Sequence, residues 1–109
     1  MSKNLIRRAM PAAIEDLKYW QLQSDKKYQR IKTIIEQLCV NPKVSIGKPE
    51  PLKSDKTGLW SCRIDKEHRL VYSFDDEYLY LWRARYHYVD IPKPSSKDDA
   101  IDIDMKDED

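Results

Sequence analysis

The hydrophobic repeat of this chain changes period once, and the change splits it into a helical half and a strand half. Over residues 11–38 apolar side chains recur at helical spacing: Ala13, Leu17 and Trp20, then Tyr28, Ile31, Ile34, Ile35 and Leu38. Pro11 suits a first helical turn, where its missing N–H costs nothing. Ser24-Asp25 marks a break and an N-cap, and Asn41-Pro42 a stop. Two helices joined by so few residues form an antiparallel hairpin. Past residue 58 the period is two, with Trp60, Cys62 and Ile64 alternating with Leu59, Ser61 and Arg63. Strands follow over residues 69–74 and 78–88, with short turns at Asp65-Lys66 and Asp75-Asp76-Glu77 that require antiparallel pairing. Residues 43–58 hold both glycines and Pro49 and Pro51, and read as a loop. Leu5-Ile6 begins a short first strand that Arg7-Arg8 weakens. The expected fold is α+β: an N-terminal helical hairpin packed on a twisted antiparallel β-sheet.

With 109 residues the chain is expected to hold one domain, residues 1–88, followed by a tail, residues 89–109. The net charge of +1 hides an asymmetry. The body carries 17 Lys/Arg against 11 Asp/Glu, and the tail 3 Lys against 8 Asp/Glu. A body at +6 with a tail at −5 fits a polyanionic partner, and equally a solvated charged surface. The tail has a composition typical of disorder, yet its alternation of Asp with Ile101, Ile103 and Met105 also suits a strand added to a partner or to the body. No apolar run approaches the roughly 20 residues of a membrane span, and the N-terminus lacks the apolar stretch of a secretory signal. A cytoplasmic protein with reduced, packed Cys39 and Cys62 is expected. No metal-ligand spacing and no phosphate-binding glycine loop is present in the sequence.

Three segments carry reactive side chains: Gly47-Lys48-Pro49-Glu50-Pro51-Leu52-Lys53, Glu67-His68-Arg69-Leu70-Val71-Tyr72 and Arg85-Tyr86-His87-Tyr88. Together they supply a carboxylate, an imidazole, a phenol and fixed cations. Metal-free cleavage of RNA needs such a set: a base for the ribose 2′-hydroxyl, an acid for the leaving 5′-oxygen, and cations for the phosphorane. Glu50 sits between two prolines that fix its direction, and is otherwise a solvated loop residue. Arg69 begins an apolar strand and shares a face with Val71, so its planar fork either meets phosphate or closes an ion pair at the sheet edge. Arg63 and Arg85 have the same double reading, whereas Lys48 and Lys53 are either solvated loop lysines or, beside Glu50, neutralise the scissile phosphate. Histidine as a residue type changes charge near neutrality, so His87 either suits a general acid or merely caps the sheet, whereas His68, beside the tight turn, reads as structural. Tyr86 and Tyr88 are aromatics suited to stacking bases, and Tyr88 otherwise caps the sheet.

These residues resemble the YoeB/Txe toxins of the RelE superfamily. The likeness runs from about Glu15 to Tyr88 and includes Asp16, Tyr19-Trp20-Gln21, Asp25-Lys26, Gly58, Trp60-Ser61 and Arg63-Ile64 besides the three segments. It implies a microbial-ribonuclease-like fold and a ribosome-dependent endoribonuclease that cuts mRNA in the A site without a cofactor. By motif position Glu50 resembles the general base, His87 the general acid, Arg69 and Lys53 the transition-state cations, and Tyr88 the functional terminal tyrosine. Lys48, Arg63, Arg85 and Tyr86 are then expected to hold RNA. The implied partners are a YefM/Phd-type antitoxin, the ribosome and mRNA, a second copy in a homodimer, and operator DNA only through the antitoxin. A catalytically silent module of the same fold, kept for the complex with antitoxin and operator DNA, is the alternative. Three departures stand out: 21 residues follow the tyrosine at which the family chain normally stops, the first strand is basic, and Cys62 and Trp82 replace an arginine and a small residue. The tail could mimic an antitoxin segment and cover the cationic cleft.

Overall fold

The computed structural model describes residues 4–52, 58–85 and 100–103. Its elements are β1 (Ile6–Ala9), α1 (Pro11–Gln23), α2 (Asp25–Val40), β2 (Glu50–Pro51), β3 (Trp60–Arg63), β4 (Arg69–Phe74), β5 (Tyr78–Arg83) and β6 (Ile101–Asp102). The α+β architecture is as expected, with both helices on one side of the sheet.

Ser24 serves both helices. Its N–H closes α1 on the Trp20 carbonyl (2.8 Å), and its Oγ accepts the Lys27 N–H to cap α2 (3.3 Å). The α2 stripe of Ile31, Ile34, Ile35 and Leu38 is fully buried. It packs with Ala13, Leu17 and Trp20 of α1 on the sheet side formed by Cys62, Ile64, Leu70, Tyr72, Leu79 and Leu81. One device makes both strand turns. Asp65 Oδ1 accepts the Glu67 and His68 N–H groups (2.8 Å each), and Asp75 Oδ1 accepts those of Glu77 and Tyr78 (2.9 and 2.7 Å). Aspartate mimics a backbone carbonyl here, which is why it marks turns. Cys39 and Cys62 are free and buried.

Four features depart from expectation. The sheet, ordered β2-β3-β4-β5-β1-β6, is mixed, because β1 runs parallel to β5. Short connections dictate antiparallel pairing only between successive strands, whereas both helices and three strands separate β1 from β5. Second, β1 forms despite its arginines and lies inside the sheet. Arg8 sets its guanidinium over the Tyr78 ring (4.2 Å) and donates to Asp102 Oδ1 (2.6 Å), so its charge stays at the surface while its stem covers the sheet. Third, the 43–58 segment contains a strand, β2, paired to β3. Fourth, β5 ends at Arg83, after a register shift opposite Val71 and Tyr72. The expectation that the strand reaches residue 88 falls, from residue 86 on, outside the described residues.

Of the acidic tail, residues 100–103 are described. Ile101 and Asp102 pair antiparallel with Ala9 and Arg8, the Ile103 N–H donates to the Arg7 carbonyl (3.2 Å), and Ile103 packs on the helix-side core. Strand addition, one of the two readings of the Asp/apolar alternation, therefore holds for this stretch. It lies at the opposite edge of the sheet from β2.

Candidate active site

Glu50 reaches the sheet through a loop whose backbone is tied down repeatedly. The Ile46 N–H donates to Gln37 Oε1 of α2 (2.9 Å), and the Gly47 N–H donates to Ser45 Oγ (2.9 Å). The Lys48 N–H donates to the Ser45 carbonyl (3.2 Å), and the Gly47 carbonyl accepts the Arg63 N–H of β3 (2.9 Å). The close approach demands glycine: a Cβ at Gly47 would stand 2.9 Å from the Cys62 Cβ and 3.1 Å from the Arg63 carbonyl oxygen. Lys48 then takes a φ of 54°, rare for a residue with a side chain. The exposed Glu50 carboxylate is thus delivered by backbone anchors as well as by its two prolines.

Strand register brings the candidate residues into rows. Glu50 is in register with Ser61, and Ser61 with Val71; two residues along, Arg63 faces Arg69 directly. Paired residues project from the same side and alternate along each strand, so Glu50, Arg63 and Arg69 share the side away from the helices. With strands ~4.8 Å apart and ~3.4 Å per residue, the Cα atoms of Glu50 and Arg69 lie about 12 Å apart. A glutamate and an arginine at that spacing can face one phosphodiester from two sides. Arg69 is half-buried, and its Nη1 donates to the Asp65 carbonyl (3.1 Å), which fixes the guanidinium.

The remaining candidates divide. Lys48 and Arg63 are exposed beside this row. Arg85 turns the other way and stacks on the Tyr19 ring of α1 (3.5 Å), so it is not brought to Glu50. Lys53, Tyr86, His87 and Tyr88 lie outside the described residues. His68 packs edge-on against Trp20 (ring centroids 4.9 Å), in keeping with a structural part. Cys62 lies in the helix-side core, where burial pushes its thiol up to about 11, so this departure removes no charge from the Glu50 side. Trp82 is on that side, buried, with its N–H donating to Ser73 Oγ (2.9 Å). Among the described residues no group of His, Cys, Asp and Glu is arranged to hold a metal ion.

A second set of residues fixes the exit of β5, and motif reading alone gave it no role. Asp16, on the buried face of α1, accepts from Arg83 Nε and Nη2 (2.8 and 3.2 Å) and from the Ala84 N–H (2.9 Å). Trp20 Nε1 donates to the Ala84 carbonyl (2.6 Å). Both polar groups of the Ala84 backbone are therefore held by α1, two residues before Tyr86. The available signal was an aspartate among Ala13, Leu17 and Trp20, since a buried acid needs a dedicated partner.

A family model described as "YoeB-like toxin of bacterial type II toxin-antitoxin system" matches residues 10–88. The chain belongs to this family. It is 45% identical over 78 residues to the Toxin YoeB of Mycobacterium bovis, which covers 72% of this chain and 92% of that toxin. The YoeB dimer from Staphylococcus aureus superposes with a TM-score of 0.73 at 40% identity, covering 79% of this chain and all of that one. The YoeB-YefM complex from the same organism gives 0.69 at the same identity and coverage. The YoeB-like region thus begins just past β1, runs to residue 88 and includes every anchor of the Glu50 loop.

Proposed function

We propose that this YoeB-like toxin is a ribosome-dependent endoribonuclease that cleaves mRNA without a metal ion or other cofactor. Glu50 takes the proton from the ribose 2′-hydroxyl, and the 2′-oxygen attacks the adjacent phosphorus. Arg69 and Lys53 neutralise the phosphorane, His87 gives a proton to the departing 5′-oxygen, and Tyr88 orients the phosphate. The products are a 2′,3′-cyclic phosphate and a 5′-hydroxyl. Lys48, Arg63 and Tyr86 hold the flanking nucleotides, whereas Arg85, stacked on Tyr19, takes no part. Proton transfers of this kind contribute roughly 10²–10⁴-fold each.

The observation that carries this reading is the shared sheet side of Glu50 and Arg69, with the carboxylate delivered by an anchored loop and the guanidinium fixed by a backbone carbonyl. The S. aureus relative is solved with YefM and as a dimer. A YefM/Phd-type antitoxin and a homodimer are accordingly the partners proposed for this chain, with operator DNA reached only through the antitoxin. Primer extension on translated mRNA tests the proposal. Purified protein should give discrete cuts in the A site, and Glu50→Gln, Arg69→Ala and His87→Gln should each remove them while keeping the parent's circular dichroism spectrum. If the parent makes no cuts, the protein is a silent binding module; if all three variants cut normally, the assignment of residues is wrong.

A further inference from the structure

The tip of the β3–β4 hairpin and α2 enclose an open cleft of about 390 Å³, lined by Arg30, Arg63, Asp65, Lys66 and Arg69. Four of these five described side chains are cations, and the acid is already engaged. Asp65 accepts two backbone N–H groups through Oδ1 and faces the Lys27 ammonium through Oδ2 (3.3 Å). Among the described residues no other acid lines the cleft. Arg63 and Lys66 have no side-chain hydrogen bond or ion pair among the described residues. Arg63 stands directly opposite Arg69 across the two strands, an arrangement of like charges that destabilises a sheet.

The guanidinium groups are also immobilised before any ligand arrives. Arg30 Nε donates to the Ile64 carbonyl (2.9 Å) and its Nη2 to the Arg63 carbonyl (3.3 Å), while Arg69 Nη1 holds the Asp65 carbonyl (3.1 Å). A guanidinium has five donors, so each retains N–H groups for a second partner. A merely solvated surface gains nothing from fixing arginines against one another. A phosphate ester gains twice, because the forks are already set and the mutual repulsion is relieved on binding.

We infer that this cleft is a second phosphate site, in which Arg30 and Lys66 hold the sugar–phosphate backbone of single-stranded RNA adjoining the phosphate bound by Arg69. The inference rests on the proposed ribonuclease reading for its ligand class, and it extends the RNA path from the sheet, around the hairpin tip, onto α2. Arg63 and Arg69 belong to both sites and link them.

The test is binding, separate from cleavage. Fluorescence anisotropy follows a single-stranded oligoribonucleotide with 2′-O-methyl sugars, which cannot be cleaved by 2′-attack, over a range of salt. Each phosphate contact contributes about 0.7 to the slope of log K against log salt for single strands. Arg30→Gln with Lys66→Gln should therefore lower the slope by about 1.4 and the affinity at 0.1 M salt by ~25-fold, whatever the base sequence. Lys66→Glu alone, at an exposed tip with no bonds to lose, should weaken binding without altering thermal stability. Unchanged slope and affinity in both variants would overturn the inference, as would loss of binding to an acidic peptide with RNA binding intact. A parent protein that binds RNA through this cleft yet never cuts it would sink the nuclease proposal and leave the site standing.

Discussion

Replacing Asp16 by alanine would strike the point where α1 holds the end of β5. The carboxylate is 4% exposed and satisfies three donors, two on Arg83 and the Ala84 N–H. Removing one partner of a largely buried ion pair costs up to about 3–5 kcal/mol, because the remaining charge loses that contact. The Ala84 N–H, also buried, would add up to ~1–3 kcal/mol if nothing replaced its acceptor. The two costs share one carboxylate and are not additive, so a total near 4 kcal/mol is expected. A domain of this length is stable by about 5–15 kcal/mol, so the variant should lose a large part of its margin. Urea unfolding monitored by tryptophan fluorescence reads this directly, since Trp20 donates to the same Ala84. A cycle of Asp16→Ala, Arg83→Met and the double variant isolates the pair. The double variant should be clearly less destabilised than the sum of the singles, because each single variant already removes the same Asp16–Arg83 contact. A loss below about 1 kcal/mol for Asp16→Ala, or strict additivity in the cycle, would refute the reasoning.

Two further outcomes follow from the loop and the hairpin turn. Gly47→Ala puts a Cβ 2.9 Å from that of Cys62, against a strand that cannot yield; it should cost about 1–3 kcal/mol in the same unfolding assay and displace Glu50, lowering cleavage further than the stability loss explains. Burial alone would raise the Asp65 carboxyl, but the His68 and Glu67 amides and Lys27 outweigh it and hold it below its ordinary 3.8. A depressed folded-state pKa gives stability that is complete above the ordinary value and is lost as pH falls through the folded one. The stability gap between parent and Asp65→Asn should hence be constant above about pH 5 and close below about pH 4; a gap that persists undiminished in acid would contradict this.

Local chemistry made the helical hairpin legible. Pro11, the Ser24 cap and the α2 stripe each act within a few residues of themselves, and the structure keeps all three. The same holds for β3 and β4, whose alternation and Asp65 turn are properties of consecutive residues. Glu50 and Arg69 were recognisable as chemistry, and their joint motif was specific enough to name a family. Pairing was not legible in the same way. That β1 lies parallel to β5, that two residues of a proline-rich loop form an edge strand, and that residues 101–102 extend the sheet depend on contacts up to 94 positions apart, such as Arg8 with Asp102.

By itself the sequence determined which segments coil or extend, and which side chains could serve a phosphate. Tertiary structure alone decided which of them meet. Register set Glu50 and Arg69 on one side of the sheet, the shift near Val71 accompanies Arg83 turned toward Asp16, and the hairpin tip gathered Arg30 and Lys66 into one cleft. Periodicity is fixed by neighbouring dihedral angles, whereas register follows from burying both sides of a sheet at once, and no short stretch of chain contains that information.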